Sequence, residues 1–172
     1  DGISAQDMHI LGFILESGKS LVIALNKWDS ISSYEREKLK NDIDKKLPFV
    51  KFAEKVFISA LHQDGFPVLM KAIIKSHKSA LTKFTTPQLN SVLSNALISH
   101  QPSIIKGIRP KLKYAHQGGM NPPTIIIHGN HLEGLKQDYV RFLESFYRKA
   151  FDLTGTPLRI QFKNSTNPFD EK

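Results

Sequence analysis

No cysteine occurs among the 172 residues. That excludes disulfides and thiolate metal sites, and it fits a reducing compartment. No apolar run approaches the roughly 18–20 residues of a membrane span. Acidic residues are in deficit, with 16 Asp and Glu against 24 Lys and Arg, giving a net charge of +8. An excess of this sign favours a polyanionic partner, nucleic acid first. The first 85 residues carry thirteen cations against ten anions, and residues 86–172 carry eleven against six, so the second half is the more basic at +5. There is no internal repeat or low-complexity segment within the chain, and its length fits one domain or two small ones.

Phosphate-binding motifs are also missing. A P-loop needs Gly-x-x-x-x-Gly-Lys-[Ser/Thr] between a strand and a helix, so that backbone N–H groups can cradle phosphates. Gly18-Lys19-Ser20 lacks the first glycine, because Phe13 stands there, and it ends a helix instead of starting one. Gly18 reads as a helix C′ residue. No Asp-x-x-Gly switch motif precedes the apolar strand at Leu21, so the chain is expected to begin inside a domain and to lack hydrolytic activity, with no catalytic residue of its own.

What is present is a base-reading pattern. Leu21-Val22-Ile23-Ala24-Leu25 reads as a parallel strand buried on both faces, and it runs into Asn26-Lys27-Trp28-Asp29. This resembles the Asn-Lys-x-Asp pattern with which P-loop GTPases read guanine, and the resemblance implies that Asp29 accepts from N1–H and the N2 amine together, a donor pair that only guanine presents. Asn26 would tie neighbouring loops together, and the stem of Lys27 would lie along the base. A second strand, Lys55-Val56-Phe57-Ile58, ends in Ser59-Ala60-Leu61, which resembles the Ser-Ala-[Lys/Leu] loop that in these GTPases offers a backbone N–H to guanine O6. Loops at the carboxyl ends of adjacent parallel strands are where an open α/β sheet binds ligands. Asn26, Lys27, Asp29, Ser59, Ala60 and Leu61 are therefore the candidate nucleotide-binding residues. His128 and His131 are close in sequence, but a Gly-Asn turn separates them and no carboxylate cluster accompanies them, so no metal site is expected.

Hydrophobic spacing organises the rest. Met8, Leu11, Ile14 and Leu15 mark a first helix. Ser32 and Glu35 form a capping box before a helix with Leu39, Ile43 and Leu47, ended by Pro48. Gly65-Phe66-Pro67 opens a third, with Leu69, Ala72, Ile73 and Ala80 on its inner face. Residues 1–81 thus read as half of a doubly wound α/β sheet, with 82–86 as linker. One edge of that half-sheet should be open, and it offers a route to self-association.

Residues 87–172 read as a two-layer α+β unit of order α-β-β-α-β. Thr86 is the expected N-cap, with Pro87 at N1 and Leu89, Val92, Leu93, Ala96 and Leu97 on the inner face. Arg109 to Gln117 alternates, placing Leu112, Tyr114 and His116 on one side and Lys111, Lys113 and Ala115 on the other. Thr124 to His128 is its antiparallel partner, stopped by Gly129-Asn130. Tyr139, Phe142, Leu143, Phe146 and Tyr147 are spaced as the buried face of a helix. Leu158 to Phe162 is the last strand, and Asn164 to Lys172 a polar tail that frays.

Tyr114-Ala115-His116-Gln117-Gly118-Gly119, Pro122-Pro123, Ile127-His128-Gly129-Asn130 and Gly155-Thr156-Pro157-Leu158-Arg159-Ile160-Gln161-Phe162, together with Asn26-Lys27-Trp28-Asp29 and Ile58-Ser59-Ala60-Leu61, closely resemble the C-terminal part of the Der (EngA) family of bacterial tandem GTPases. The resemblance runs essentially end to end. It implies the C-terminal half of a second, repeated GTPase domain followed by a KH-like domain. It further implies a cytoplasmic factor that assists assembly of the large ribosomal subunit and contacts its rRNA, with a sister GTPase domain in the same chain. GTP or GDP would bind with Mg²⁺ held by residues outside these 172. Nucleic-acid-binding KH modules clamp the backbone with Gly-x-x-Gly, and none of the ten glycines here is followed by another three residues later. Arg109, Lys111, Lys113, Arg148 and Arg159 therefore either touch RNA or dock a sister domain. The alternative to a nucleotide-binding chain is a docking module for rRNA or protein with no nucleotide function.

Overall fold

The computed structural model describes residues 3–165. The described chain is mixed α/β, with five α-helices and two small sheets, and it divides into two compact units.

The first unit comprises residues 1–81 and Leu153–Pro157. Helix α1 (Ala5–Glu16) starts at a capping box between Ser4 and Asp7. It ends in a Schellman turn, in which the Gly18 N–H donates to Leu15 O at 2.9 Å and the Lys19 N–H to Ile14 O at 3.2 Å. Gly18 takes φ 70°, as a C′ residue requires. Strand β1 (Val22–Leu25) pairs in parallel with β2 (Glu54–Phe57), and α2 (Ser33–Lys46) is the crossover between them. The expected Ser32–Glu35 capping box is present.

The pleat sorts the side chains of β1. Leu21, Ile23 and Leu25 pack against the cluster of Ile43, Leu47, Val50 and Ala53, to which Met8, Leu11 and Leu15 of α1 add. Val22 turns to the opposite face, toward Val56, Ile58 and Ala72 of the side covered by α3 (Phe66–Ala80). Helices thus lie on both faces of the strand pair.

Two expectations change here. Strand β1 is half-buried and Ala24 is exposed, because β2 is its one partner strand among the described residues and a cleft of about 380 Å³ lined by Ile10, Leu11, Leu39 and the strand itself runs beside it. Ile73 lies outside the core. Helix α3 buries small residues, Ala72, Ser76, Ser79 and Ala80, while Phe66, Met70, Ile73 and Ile74 form an exposed apolar stripe at i, i+4, i+7 and i+8. A further finding is the placement of Leu153–Pro157, which sequence places in the second unit. The Gly155 N–H donates to Phe52 O and the Leu21 N–H to Gly155 O, both at 2.7 Å, and the Thr154 N–H donates to Ser79 Oγ at 3.3 Å.

The second unit comprises Thr82–Asp152 and residues from Leu158 onward. Its elements are α4 (Thr86–Ser99), β3 (Lys111–Gly119), β4 (Thr124–Asn130), α5 (Gln137–Ala150) and β5 (Arg159–Asn164). The sheet order is β3-β4-β5, antiparallel between β3 and β4 and parallel between β4 and β5. Ile125, Ile127, Leu89, Leu143 and Tyr147 are fully buried at its centre. The Asn90 side chain ties α4 to β3 by bonding both the N–H and the C=O of Ala115, at 2.9 and 2.8 Å. Tyr147 Oη donates to Leu89 O at 3.1 Å and Tyr139 Oη to His100 O at 2.9 Å. Burial raises both phenols, Tyr139 to about 12.

Three boundaries differ from expectation. The N-cap of α4 is Thr85, whose capping box with Gln88 places Thr86 at N1 and Pro87 at N2. Gly129 and Asn130 continue β4 instead of ending it. A register shift between Leu112 and Tyr114 makes Lys113 an extra residue, so Leu112 and Ala115 are both buried while Tyr114 turns to the opposite face. The polar tail expected over residues 164–172 lies, beyond Ser165, outside the described residues.

Candidate nucleotide loops and basic surface

The residues Asn26 to Asp29 and Ser59 to Leu61 follow β1 and β2 at the same end of the parallel pair, and hydrogen bonds join the two loops. The Ile58 N–H donates to Leu25 O at 2.9 Å, and the Trp28 N–H to Ile58 O at 3.1 Å. These bonds extend the ladder beyond the strands, holding both loops in register. Asn26 Oδ1 accepts from the Lys27 N–H at 2.8 Å and from the Ala60 N–H at 3.0 Å, so one side chain bridges the loops. Lys27 takes the left-handed conformation at φ 63°, which turns the chain into the short helical turn at Trp28–Ser30. The second loop is closed on itself: Ser59 and Asp64 exchange backbone bonds at 3.1 and 3.0 Å, and the His62 N–H donates to Ser59 Oγ at 3.2 Å.

Asp29 sits between the loops. The Ser59 hydroxyl beside it holds its carboxyl below the usual carboxylate range, with smaller help from His62 and Arg36. His62 Nε2 stands 3.7 Å from Asp29 Oδ2. The carboxylate is thus held in its ionised form. Trp28 is fixed between Phe57, at 4.1 Å between ring centroids, and the cations of Arg36 and Lys40 at 5.3 and 5.7 Å from its ring. Arg36 Nη2 also donates to Trp28 O at 2.8 Å. Neither Arg36 nor Lys40 is legible as part of this site in the sequence, since a cation one turn into a helix carries no signal of what it covers. The Ala60 N–H of the second loop is engaged by Asn26. Leu61 is 81% exposed at the loop tip.

The five basic residues of the second unit divide differently. Lys111 and Lys113 are exposed on β3, and Arg159 is exposed at the start of β5. Arg109 donates to Gln101 Oε1 at 2.9 Å. Arg148 stands apart from these. Its side chain is 15% exposed and its Nε donates to Glu144 Oε1 at 3.1 Å, one turn earlier on α5. Burial pulls its guanidinium down from its ordinary value, against the Glu144 carboxylate that supports it. Lys111 and Lys113 present their charge to solvent, whereas Arg148 is built into the flank of α5.

On the face of the second sheet away from its fully buried centre, the Tyr114 ring stacks on His128 at 4.5 Å and 3°, and His116 lies 5.0 Å from His128. Burial, then His116 and Lys163, lower His128 below the ordinary histidine value. His131 has a left-handed backbone in the turn after β4. Among the described residues no group of three metal-ligating side chains converges. No described helix is long and apolar enough to cross a membrane.

A three-stranded sheet of this order with α4 and α5 is the arrangement of a KH-like module. Residues 83–163 match the KH-domain-like family of EngA bacterial GTPase enzymes, a C-terminal domain. Over its whole length the chain is similar to GTPase Der of Variovorax paradoxus strain S110, with 54% identity across 99% of the chain and 38% of the relative. GTPase Der of Thiobacillus denitrificans is 51% identical over 100% of the chain and 37% of its own length, and that of Halorhodospira halophila 45% over 100% and 36%. The chain belongs to the Der (EngA) family, and it spans less than two-fifths of the length of these curated relatives.

Proposed function

We propose that the first unit carries the guanine-reading loops of a GTPase domain, and that the second is the module through which a GTP-binding assembly factor engages the rRNA of the large ribosomal subunit. The observation that supports this most is the Asn26 bridge. A side chain at the end of one strand bonds the backbone of the loop after the next, with an ionised Asp29 beside it. A guanine seated there gives N1–H and the N2 amine to Asp29. Its O6 takes over the Ala60 N–H from Asn26, whose side chain is then free to turn toward N7. Lys27 lies along the base. The exposed stripe of α3 and the cleft beside β1 support the view that this unit is half of a larger sheet.

GTP or GDP would bind the intact parent with Mg²⁺ held by residues outside these 172. Phosphate cradling and metal supply most of the catalysis in phosphoryl transfer. The 172-residue chain alone is therefore expected to release no phosphate from GTP above a mock preparation.

The test is Asp29→Asn in a full-length parent. An amide places a donor where the N2 amine needs an acceptor, at a cost of about 1–3 kcal/mol, or roughly five- to a hundredfold in affinity. GDP affinity is expected to fall and xanthosine diphosphate affinity to rise, as read by titration calorimetry. Unchanged GDP affinity would sink the guanine assignment.

For the second unit, the charge of residues 86–172 supports rRNA as partner. Reversing Lys111 and Lys113 to Glu is expected to weaken RNA binding similarly for all sequences and to flatten its salt dependence. If RNA affinity holds while the full-length protein loses stability, these lysines dock a sister domain instead.

A further inference from the structure

The three strands of the second unit contain four Lys or Arg and no Asp or Glu. Glu133, in the turn after β4, is engaged by the Asn164 side chain at 2.6 Å. Ile125 and Ile127 take one face of β4 and are fully buried. The pleat therefore places His128 on the other face, where its cross-strand partners are Tyr114 on β3 and Lys163 on β5. Two residues along, Ile126 has His116 and Gln161 as partners, and Thr124 has Arg159. The rings and the cations thus occupy one helix-free face, with the rings over β3 and β4 and the cations along β5.

The Lys113 bulge makes this arrangement. Without the extra residue Tyr114 would share the buried face with Leu112, as plain alternation predicts. With it, Tyr114 stacks on His128 while remaining 45% exposed. A cross-strand aromatic pair stabilises a sheet wherever it lies, but that role requires neither exposure of the tyrosine nor exposed cations on the same face. His128 Nε2 is shielded from solvent and has no hydrogen-bond partner among the described residues.

We propose that this face is a stacking platform for single-stranded RNA, in which a base lies on Tyr114 beside the His128–His116 pair while Arg159 and Lys163 track the phosphates. The proposal rests on the RNA reading of the second unit and locates its grip on the sheet face, in place of the absent Gly-x-x-Gly clamp. Aromatic rings stack on any base, because every base has a π-face, and flanking cations add affinity without sequence preference. Gln161 adds an amide that can bond a base edge or a 2′-hydroxyl. A paired duplex cannot lay its bases on such a platform, so single strands are selected over double strands.

The test uses the whole 172-residue chain and a labelled oligoadenylate of about twelve nucleotides, with an RNA duplex of equal length for comparison, read by fluorescence anisotropy. Tyr114→Ala is expected to weaken single-strand binding about five- to a hundredfold, while leaving its salt slope unchanged. Tyr114→Phe keeps the ring and should bind within about twofold of the parent, whereas Tyr114→Leu, which keeps the bulk without the π-face, should behave as Tyr114→Ala. Replacing Arg159 and Lys163 by Gln should flatten the salt slope by about 0.7 for each phosphate no longer neutralised. Salt-dependent binding that is indifferent to removal of the ring overturns the platform but leaves the RNA reading standing, as does tighter binding of the duplex. Absence of binding at low salt overturns both. If ring removal spares RNA affinity but lowers the melting temperature of the full-length parent more than that of this chain, the face seats another domain and the proposal falls.

Discussion

Gly129 has no room for a side chain, since a Cβ there would run into the carbonyl oxygen of Lys111 on the neighbouring strand. The clash is with backbone, which cannot swing aside as a flexible side chain would. Gly129→Ala is therefore expected to destabilise the second unit by about 1–3 kcal/mol, as overpacking does, measured by urea unfolding. A loss below a few tenths of a kcal/mol would show that β3 yields easily. Residue identity makes some of the candidate nucleotide loops legible in the sequence and leaves other parts hidden. Asn26 and Asp29 stand out as a polar pair directly after an apolar strand, a pattern that also suits a plain turn. The engagement of the Ala60 N–H by Asn26 is not legible, since it depends on which of two acceptors lies nearer in space. Arg36 is equally silent: its contact with Trp28 is set by the pitch of α2, which no local pattern encodes.

At the scale of elements, capping chemistry decides where α4 begins. The Thr85 hydroxyl accepts from the Gln88 N–H and the Gln88 side chain returns to the Thr85 N–H, whereas Thr86 stands one residue inside. Thr85→Ala is expected to cost about 1 kcal/mol and Thr86→Ala far less, as compared by thermal unfolding of the two variants. Equal losses would put the cap elsewhere. The sequence offers two adjacent threonines before a proline, and the position of Gln88 three residues after Thr85 is what separates them. The bulge in β3 lies beyond such reasoning, for alternation alone cannot show where an extra residue enters.

Helix α2 makes a second prediction at this scale. The Ser32 backbone N–H, then its hydroxyl, hold the Glu35 carboxyl below its ordinary value of 4.5. A carboxyl whose folded value is depressed contributes stability that is complete above its unfolded value and is lost as pH falls through the folded one. Stability of the first unit should therefore decline more steeply below about pH 4.5 in the parent than in Glu35→Gln, followed by far-UV circular dichroism. Parallel acid profiles would remove Glu35 from the account.

On the scale of the whole molecule, the two units differ in how completely they bury their cores. The second has Ile125, Ile127, Leu143 and Tyr147 fully enclosed between a three-stranded sheet and two helices. The first has a two-stranded sheet and leaves the apolar stripe of α3 in solvent. Slow hydrogen exchange is expected across residues 125–127 and faster exchange across 22–25 and 54–57, because opening is cheapest where it uncovers little apolar surface. Equal protection in a dilute monomer would show that two strands suffice. The element order of both units is legible in the sequence, since helical and strand periods alternate clearly along it. The half-burial of β1 is not: its apolar run registers the sheet it is made for, and neighbouring strands decide how much of it is covered.

The segment Leu153–Pro157 leaves the second unit after α5, completes the first, and returns as β5. At Gly155, φ is 69° and an added Cβ would strike Ser76, so a small, left-handed residue is what lets the segment pass. The polypeptide therefore changes units three times, and a boundary drawn once along the chain divides neither unit cleanly. A protease that nicks between Leu81 and Thr82 severs the backbone without freeing a whole unit. The amino-terminal piece lacks the strap that its own Leu21 and Phe52 bond, and the carboxyl-terminal piece carries that strap away. The nicked pieces should co-elute in native size-exclusion chromatography and part in denaturant, because the strap belongs to one piece by covalent bond and to the other by its hydrogen bonds.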